Sequence, residues 1–367
     1  MLKRYRLKDF DYKLVILVVA LTLLGILLIG SAAKSKQLMQ IVGLFLGLAV
    51  MAVVTLMDYN FILQFYWPIY ALNIVLLLSV RIFGTTVGGA TRWINIAGIR
   101  FQPSELSKIL LIIFFAKIFS KYEETLSNLK VLVTMIVLAV IPLYLIKSQP
   151  DLSTSIVVAV IFCVMIYIAG LKRKIILASL GALAGLAGVF LVVTINFGRS
   201  FLNDYQYKRI MAWIDPSKYA DTAYQQQNSI MAIGSGQLIG KGLNNNVISS
   251  VKNGNFILEP QTDFIFAVTG EELGFVGSCI IILLLLFIAL ECIHIGKKAH
   301  DLQGKLICCG VATLIGVQSF FNICVTTGLM PNTGLPLPFV SYGLTSLVSL
   351  YIGVGLVLNV GLQQRKY

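Results

Sequence analysis

Charge is scarce in this chain. Asp, Glu, Lys and Arg make up 12% of its 367 residues, where soluble domains carry about 25%. With 57% hydrophobic residues beside that deficit, a water-soluble globular fold is excluded. Histidine is scarcer still, with two in the chain, His294 and His300. Both lie at one end of a single apolar run, so neither a Ser-His-Asp triad nor a histidine metal site can form on the opposite face. Cys163, Cys279, Cys292, Cys308, Cys309 and Cys324 all fall inside apolar segments. They read as small core residues rather than disulfides or metal ligands. No basic stripe with interleaved aromatics lies outside the apolar segments, which removes nucleic acid as a partner. There is also no short apolar region followed by a small-residue cleavage site. The first apolar segment is therefore expected to remain as a span.

What is abundant is long apolar sequence. Runs near 20 residues cross a bilayer as helices, because lipid offers no partner to an unpaired backbone group. The runs are continuous rather than alternating, which argues against a β-barrel. Ten spans are read at about 13–33, 38–57, 61–80, 104–119, 131–147, 152–170, 175–195, 264–293, 306–327 and 339–360. The fourth is short and carries Glu105 and Lys108. The eighth is too long for one crossing and is expected to tilt or protrude. The expected fold class is an all-α integral membrane protein of about ten transmembrane helices, a single domain over 1–367. A large, partly structured extracellular loop is expected at about 196–263, between helices 7 and 8.

The charge that is present is mostly positive, with 29 Lys and Arg against 16 Asp and Glu. The clusters at Lys3 to Lys13, at Lys117, Lys121 and Lys130, at Lys172 to Lys174, at Lys297, Lys298 and Lys305, and at Arg365-Lys366 fall on one side of a ten-span bundle. The positive-inside rule then puts both termini in the cytoplasm. The outer side still carries Arg81, Arg92 and Arg100 in the 81–103 loop, and Arg199, Lys208, Arg209, Lys218, Lys241 and Lys252 in the long one. Such residues point to an anionic ligand or to outer-leaflet headgroups. The long loop has amphipathic pieces, Tyr205 to Ile214 and Tyr224 to Ile233, and a glycine-rich turn from Gly234 to Gly242. A structured loop of that length is usually functional. The turn lacks a preceding strand and Walker spacing, so a nucleotide site is rejected.

The outer-side acids each have two readings. Asp263 ends the polar loop and begins the eighth apolar run. With Thr262 it caps the following helix, or it works as a base whose pKa desolvation lifts against the helix dipole. Asp151, after Pro150, has an N-cap signature, or it holds a basic residue or cation in an outward cavity. Glu105 and Lys108 share one helix face at i, i+3. They form a structural ion pair or a functional intramembrane site. Glu271 and Glu272 lie two turns beyond Asp263, and at least one is expected to face the bundle interior. Between Thr326 and Gly343, three prolines and three glycines forbid a regular helix. Such backbone at membrane depth must lie against protein or a water-filled cavity, so a re-entrant or outer-leaflet loop lining a site is expected.

Together these pieces resemble the SEDS family, the RodA/FtsW/SpoVE group of bacterial shape, division and sporulation proteins. The resemblance is carried by Arg92-Trp93, by Phe101 to Glu105 with Lys108, by Gln149-Pro150-Asp151-Leu152, by Gln261 to Phe266 with Glu271-Glu272-Leu273-Gly274, and by Asn322 to Pro331, Gly334 and Ser341-Tyr342-Gly343. It implies a glycosyltransferase of the bacterial cytoplasmic membrane that polymerises lipid II into peptidoglycan on the outer face. Membrane lipid surrounds it, and a class B penicillin-binding protein is the implied partner. Asp263 is the implied catalytic base, deprotonating the 4-hydroxyl of the acceptor sugar while undecaprenyl pyrophosphate leaves. Arg92, with Lys108 or Arg100, is implied to stabilise that pyrophosphate, and Glu105 to orient Lys108. Gln102, Ser104, Asp151, Thr262 and Ser341 complete the implied substrate-binding set. A divalent cation, Mg or Mn, near Asp151, Glu105 and Asp263 is left open, and no metal ligand is assigned. A lipid II flippase and a non-catalytic scaffold are the competing expectations. Two positions depart from the family pattern: Leu344 follows Ser-Tyr-Gly where a second glycine is usual, and Gln261 stands where many members have histidine. Within the family, the short N-terminus and the run from Gly334 to Pro338 resemble RodA, and Glu259 to Asp263 resembles SpoVE.

Overall fold

The computed structural model describes residues 10–87, 90–96, 98–172, 204–244 and 256–363. Helices α1 (Tyr12–Ala32) and α2 (Lys34–Leu56) are separated by the single residue Ala33. Asp11 starts α1 by accepting from Leu14 N at 3.0 Å. The expected third span is two helices, α3 (Tyr59–Gln64) and α4 (Tyr66–Phe83), interrupted at Phe65. After α4 come three short strands, β1 (Gly84–Val87), β2 (Ala90–Ile96) and β3 (Ile99–Phe101), in one antiparallel sheet of order β1-β2-β3. The sequence alone presents this stretch as loop. Helices α5 (Pro103–Lys121), α6 (Leu129–Ser148) and α7 (Leu152–Ile168) follow. The long loop contains α8 (Asp204–Ile214) and α9 (Ala220–Ser235). The last three helices are α10 (Ile265–Lys297), α11 (Leu302–Thr326) and α12 (Leu344–Leu362).

Among the described residues, α1, α2, α4, α6, α10, α11 and α12 are long and apolar enough to cross a membrane. Helix α7 is a shorter apolar helix, and α5 occupies the fourth expected span. The seventh expected span, at 175–195, lies outside the described residues. Burial separates centre from periphery. In the most apolar stretch of α12, 72% is buried, and 67% in α11, against 22% in α4 and in α6. Helices α5, α11 and α12 form the middle, with α2 against α12 and α10 against α11. Cys292, Cys308 and Cys324 are buried as expected, but Cys163 is exposed on α7 and is not a core residue.

The surplus length of the eighth run is resolved by a break. Gly274 leaves helical geometry at φ 66°, ψ −162°. From Phe275 to Lys297 the helix runs about 34 Å at 1.5 Å per residue, enough for a hydrocarbon core of about 30 Å. The helix packs against α9 of the long loop. Between α11 and α12 the chain is non-helical, with Leu335, Leu337, Phe339 and Val340 buried. This is the irregular segment that its prolines and glycines required.

Candidate active site

The sheet sets Arg92. Strand β2 turns this side chain inward, to 6% exposure. Its Nε donates to the Gln149 carbonyl at 3.3 Å and its Nη2 to the Pro150 carbonyl. Those carbonyls lie in the short turn between α6 and α7, beyond the last helical bonds of α6. Arg92 Nη1 stands 3.8 Å from Asp151 Oδ1. Asp151 is the N-cap of α7, accepting from Thr154 N at 3.2 Å. It therefore does both things its sequence context allowed: it caps a helix and holds a basic residue. Ser104 Oγ donates to Asp151 Oδ2 at 3.4 Å, and Gln102 Nε2 donates to Ser104 Oγ at 3.1 Å. Arg92, Asp151, Ser104 and Gln102 are thus one connected polar group.

Asp263 does not cap α10. The residue before that helix is Phe264, with no side-chain capping bond. Thr262 does not cap it either, because its hydroxyl donates to the Glu259 carbonyl at 2.8 Å. Tertiary bonds hold this backbone instead. Asn322 Nδ2 donates to the Asp263 carbonyl at 2.8 Å and to the Leu335 carbonyl at 2.6 Å. Ser341 Oγ donates to the Thr262 carbonyl at 2.7 Å and accepts from Leu337 N at 2.7 Å. Tyr342 N donates to the Gln261 carbonyl at 2.8 Å. The irregular segment after α11 is therefore the cradle of Asp263. Thr262 and Ser341 position it, with their hydroxyls engaged by the backbone.

The carboxylate of Asp263 faces Gly334, Arg209 and Arg92. A side-chain carbon on Gly334 would lie 3.3 Å from Asp263 Oδ2, 3.4 Å from Arg209 Nη1 and 3.9 Å from Arg92 Nη1. Burial pushes the Asp263 carboxyl above the usual carboxylate range. The Arg209 and Arg92 guanidinium groups pull it back, and the charges of Glu259 and Asp151 add to the rise. Arg209 comes from α8, where its Nη1 donates to the Asn332 carbonyl at 3.3 Å. In the sequence it stands out only as one of the long loop's basic residues. Its place on an amphipathic helix was the available signal.

Other candidates lie elsewhere or are already engaged. Lys108 is 1% exposed, and its ammonium donates to Glu105 Oε1 and Gln318 Oε1 at 2.7 Å each. Gln318 in turn donates to the Pro336 carbonyl at 2.9 Å, so the pair braces the irregular segment from beneath. Arg100 is exposed on β3, and its carbonyl accepts from Thr345 at 3.3 Å. Glu271 and Glu272 are both 3% exposed. Glu271 pairs with Lys241 at 2.8 Å and Glu272 accepts from Ser31. Among the described residues no three His, Cys, Asp or Glu side chains group as a metal site. Asp151 is engaged by Thr154, Ser104 and Arg92, and Glu105 by Lys108.

Residues 8–366 match the FtsW/RodA/SpoVE family, described as cell cycle protein. The chain belongs to that family. A Geobacter sulfurreducens relative called probable peptidoglycan glycosyltransferase FtsW is 35% identical, over 96% of this chain and 95% of its own length. The Bacillus subtilis relative of the same name is 32% identical, over 99% and 93%. Thermus thermophilus RodA, a rod-shape-determining protein solved also as an aspartate-to-alanine variant, matches with a TM-score of 0.72 and 26% identity over 98% of each chain. A chain from a peptidoglycan synthase complex, solved for its coordination of polymerization and crosslinking, matches with a TM-score of 0.80 and 29% identity, over 96% and 97%. This family member is a multi-pass bacterial membrane protein of about ten helices.

Proposed function

We propose that the protein is a peptidoglycan glycosyltransferase that extends glycan strands from lipid II on the outer face of the cytoplasmic membrane. The observation that carries the catalytic part is the half-buried Asp263 carboxylate facing Arg209 and Arg92 across Gly334. Asp263 takes the proton of the acceptor's 4-hydroxyl as that oxygen attacks the donor's anomeric carbon. The bond from that carbon to undecaprenyl pyrophosphate breaks, with inversion. Arg92 and Arg209 stabilise the charge gathering on the departing phosphates, an electrostatic contribution that a water-poor site strengthens. Raising the base's pKa toward neutrality improves proton transfer at the moment of attack. No step is routed through a metal ion.

The positive clusters support cytoplasmic termini and an outward-facing site. The relatives' name, peptidoglycan glycosyltransferase, supports glycan polymerisation, and the match to a complex that coordinates polymerization and crosslinking supports a crosslinking partner. Reconstitution in vesicles with labelled lipid II tests the reading. Glycan chain growth is expected. Translocation of lipid II with no chain growth would instead make the protein a flippase, and neither activity would leave it a scaffold.

A further inference from the structure

The glycine-rich turn of the long loop meets α10 at its break. Phe275 N donates to the Gln237 carbonyl at 2.8 Å and Val276 N to the Leu238 carbonyl at 3.1 Å. In return, Lys241 N and Gly242 N donate to the Glu271 and Glu272 carbonyls at 2.9 Å each. The break frees helical groups and the turn satisfies them, as irregular backbone beside a bilayer requires. Glycine closes the fit from both sides. A side-chain carbon on Gly240, at φ 86°, would collide with the Glu272 carbonyl, and one on Gly274 with the Gly240 amide.

The tip of this turn is apolar and bare. Leu238 is 61% exposed and Ile239 79%. Their neighbours across the hydrogen bonds, Phe275 and Val276, are exposed at the start of the membrane-crossing part of α10. The level of the turn is fixed by α1. Ser31, in the last turn of α1, donates to Glu272 and accepts from Asn244 N at 3.3 Å. The tip therefore stands level with the last turn of α1 and the break in α10. Helix α9 leads into it with an exposed side that changes from Asp221, Tyr224 and Gln227 to Ile230 and Met231.

We propose that Leu238 and Ile239, with Ile230 and Met231, insert into the outer leaflet and anchor the extracellular loop to lipid. The occupant is lipid because two backbone hydrogen bonds make the tip continuous with the outward face of a spanning helix. The pattern is that of an interfacial amphipathic element. The anchor also sets the height of the site's roof. Gln226 Nε2, on α9, donates to the Val325 and Met330 carbonyls at 2.7 Å each, and Ser229 Oγ to the Thr326 carbonyl at 2.8 Å. The bilayer thus holds α9, and α9 holds the segment leading to Gly334.

Tryptophan placed in the full-length protein tests this in nanodiscs of phosphatidylcholine brominated at shallow acyl carbons. Spectra of Ile239→Trp and Tyr224→Trp are read as differences from the parent protein. The added emission of Ile239→Trp is expected to be blue-shifted and quenched by the brominated lipid. That of Tyr224→Trp is expected to be quenched by aqueous iodide. Iodide quenching of Ile239→Trp without bromolipid quenching would overturn the proposal. So would a blue shift that arises only when a partner protein is added. If Ile239→Trp does not fold, Leu238→Trp is read in the same way.

Discussion

Gly334 stands against Asp263 so closely that its missing side chain is a condition of the site. A carbon added there would lie 3.3 Å from Asp263 Oδ2, and the backbone at φ 72° already favours glycine. Gly334→Ala is therefore expected to fold and to lower polymerase activity. The carboxylate must give by a few tenths of an ångström, less than the displacement of about 1 Å that costs about a hundredfold in rate, so a several-fold fall is expected. Rates of glycan synthesis at saturating lipid II check this, and unchanged activity would remove Gly334 from the site.

Asp151 and Asp263 look alike locally and should behave differently on substitution. Asp151 caps α7 and holds buried Arg92. Its loss leaves an uncompensated buried charge, a change that costs about 3–5 kcal/mol. Asp151→Ala is expected to lower Tm in detergent markedly. Asp263 caps nothing. Its folded-state pKa is raised, so the fold favours its neutral form, and any stability from that form is lost as pH rises through the raised pKa. At neutral pH, Asp263→Asn is therefore expected to keep or raise Tm. A drop comparable to that of Asp151→Ala would make Asp263 structural.

The pH profile should follow the neighbours of Asp263. A base acts only when deprotonated, so activity is lost as pH falls through its pKa. Burial places that acid limb above the ordinary carboxylate range. Glu259 raises the pKa, and Glu259→Gln is expected to move the limb to lower pH. Arg209 lowers it, and Arg209→Gln is expected to move the limb to higher pH, with a slower maximal rate. A limb that stays in place in both variants would assign the titration to another group.

Glu105 and Lys108 should act as a brace. Both are buried, and Lys108 reaches Gln318 and so the irregular segment. Lys108→Met alone strands a buried carboxylate, at about 3–5 kcal/mol, while replacing both partners is far milder. Lys108→Met with Glu105→Gln is therefore expected to recover most of the Tm lost by Lys108→Met. A failure to recover would point to a role for the charges themselves.

Most of the described spans were legible because hydrophobic length is a one-dimensional property that lipid imposes on each helix separately. The irregular segment was legible for the converse reason, since Pro331, Pro336 and Pro338 rule out a helix without reference to anything else. The small sheet was not. Its strands are three to seven residues long and rest on α4 and α5, so their pairing depends on packing. Arg209 was hidden because its acceptor, Asn332, lies 123 residues away. The two readings of Asp263 could not be separated from local sequence. Asn322 and Ser341, from distant parts of the chain, hold the backbone at 262–263 and leave no capping bond to Asp263.

The proposed function rests on Asp263 taking the acceptor's proton. Purified Asp263→Asn, reconstituted with the partner transpeptidase and supplied with lipid II, measures it most directly. The expected result is loss of glycan polymerisation with Tm and membrane insertion retained. Polymerisation at the parent rate by Asp263→Asn would mean that another group takes the proton.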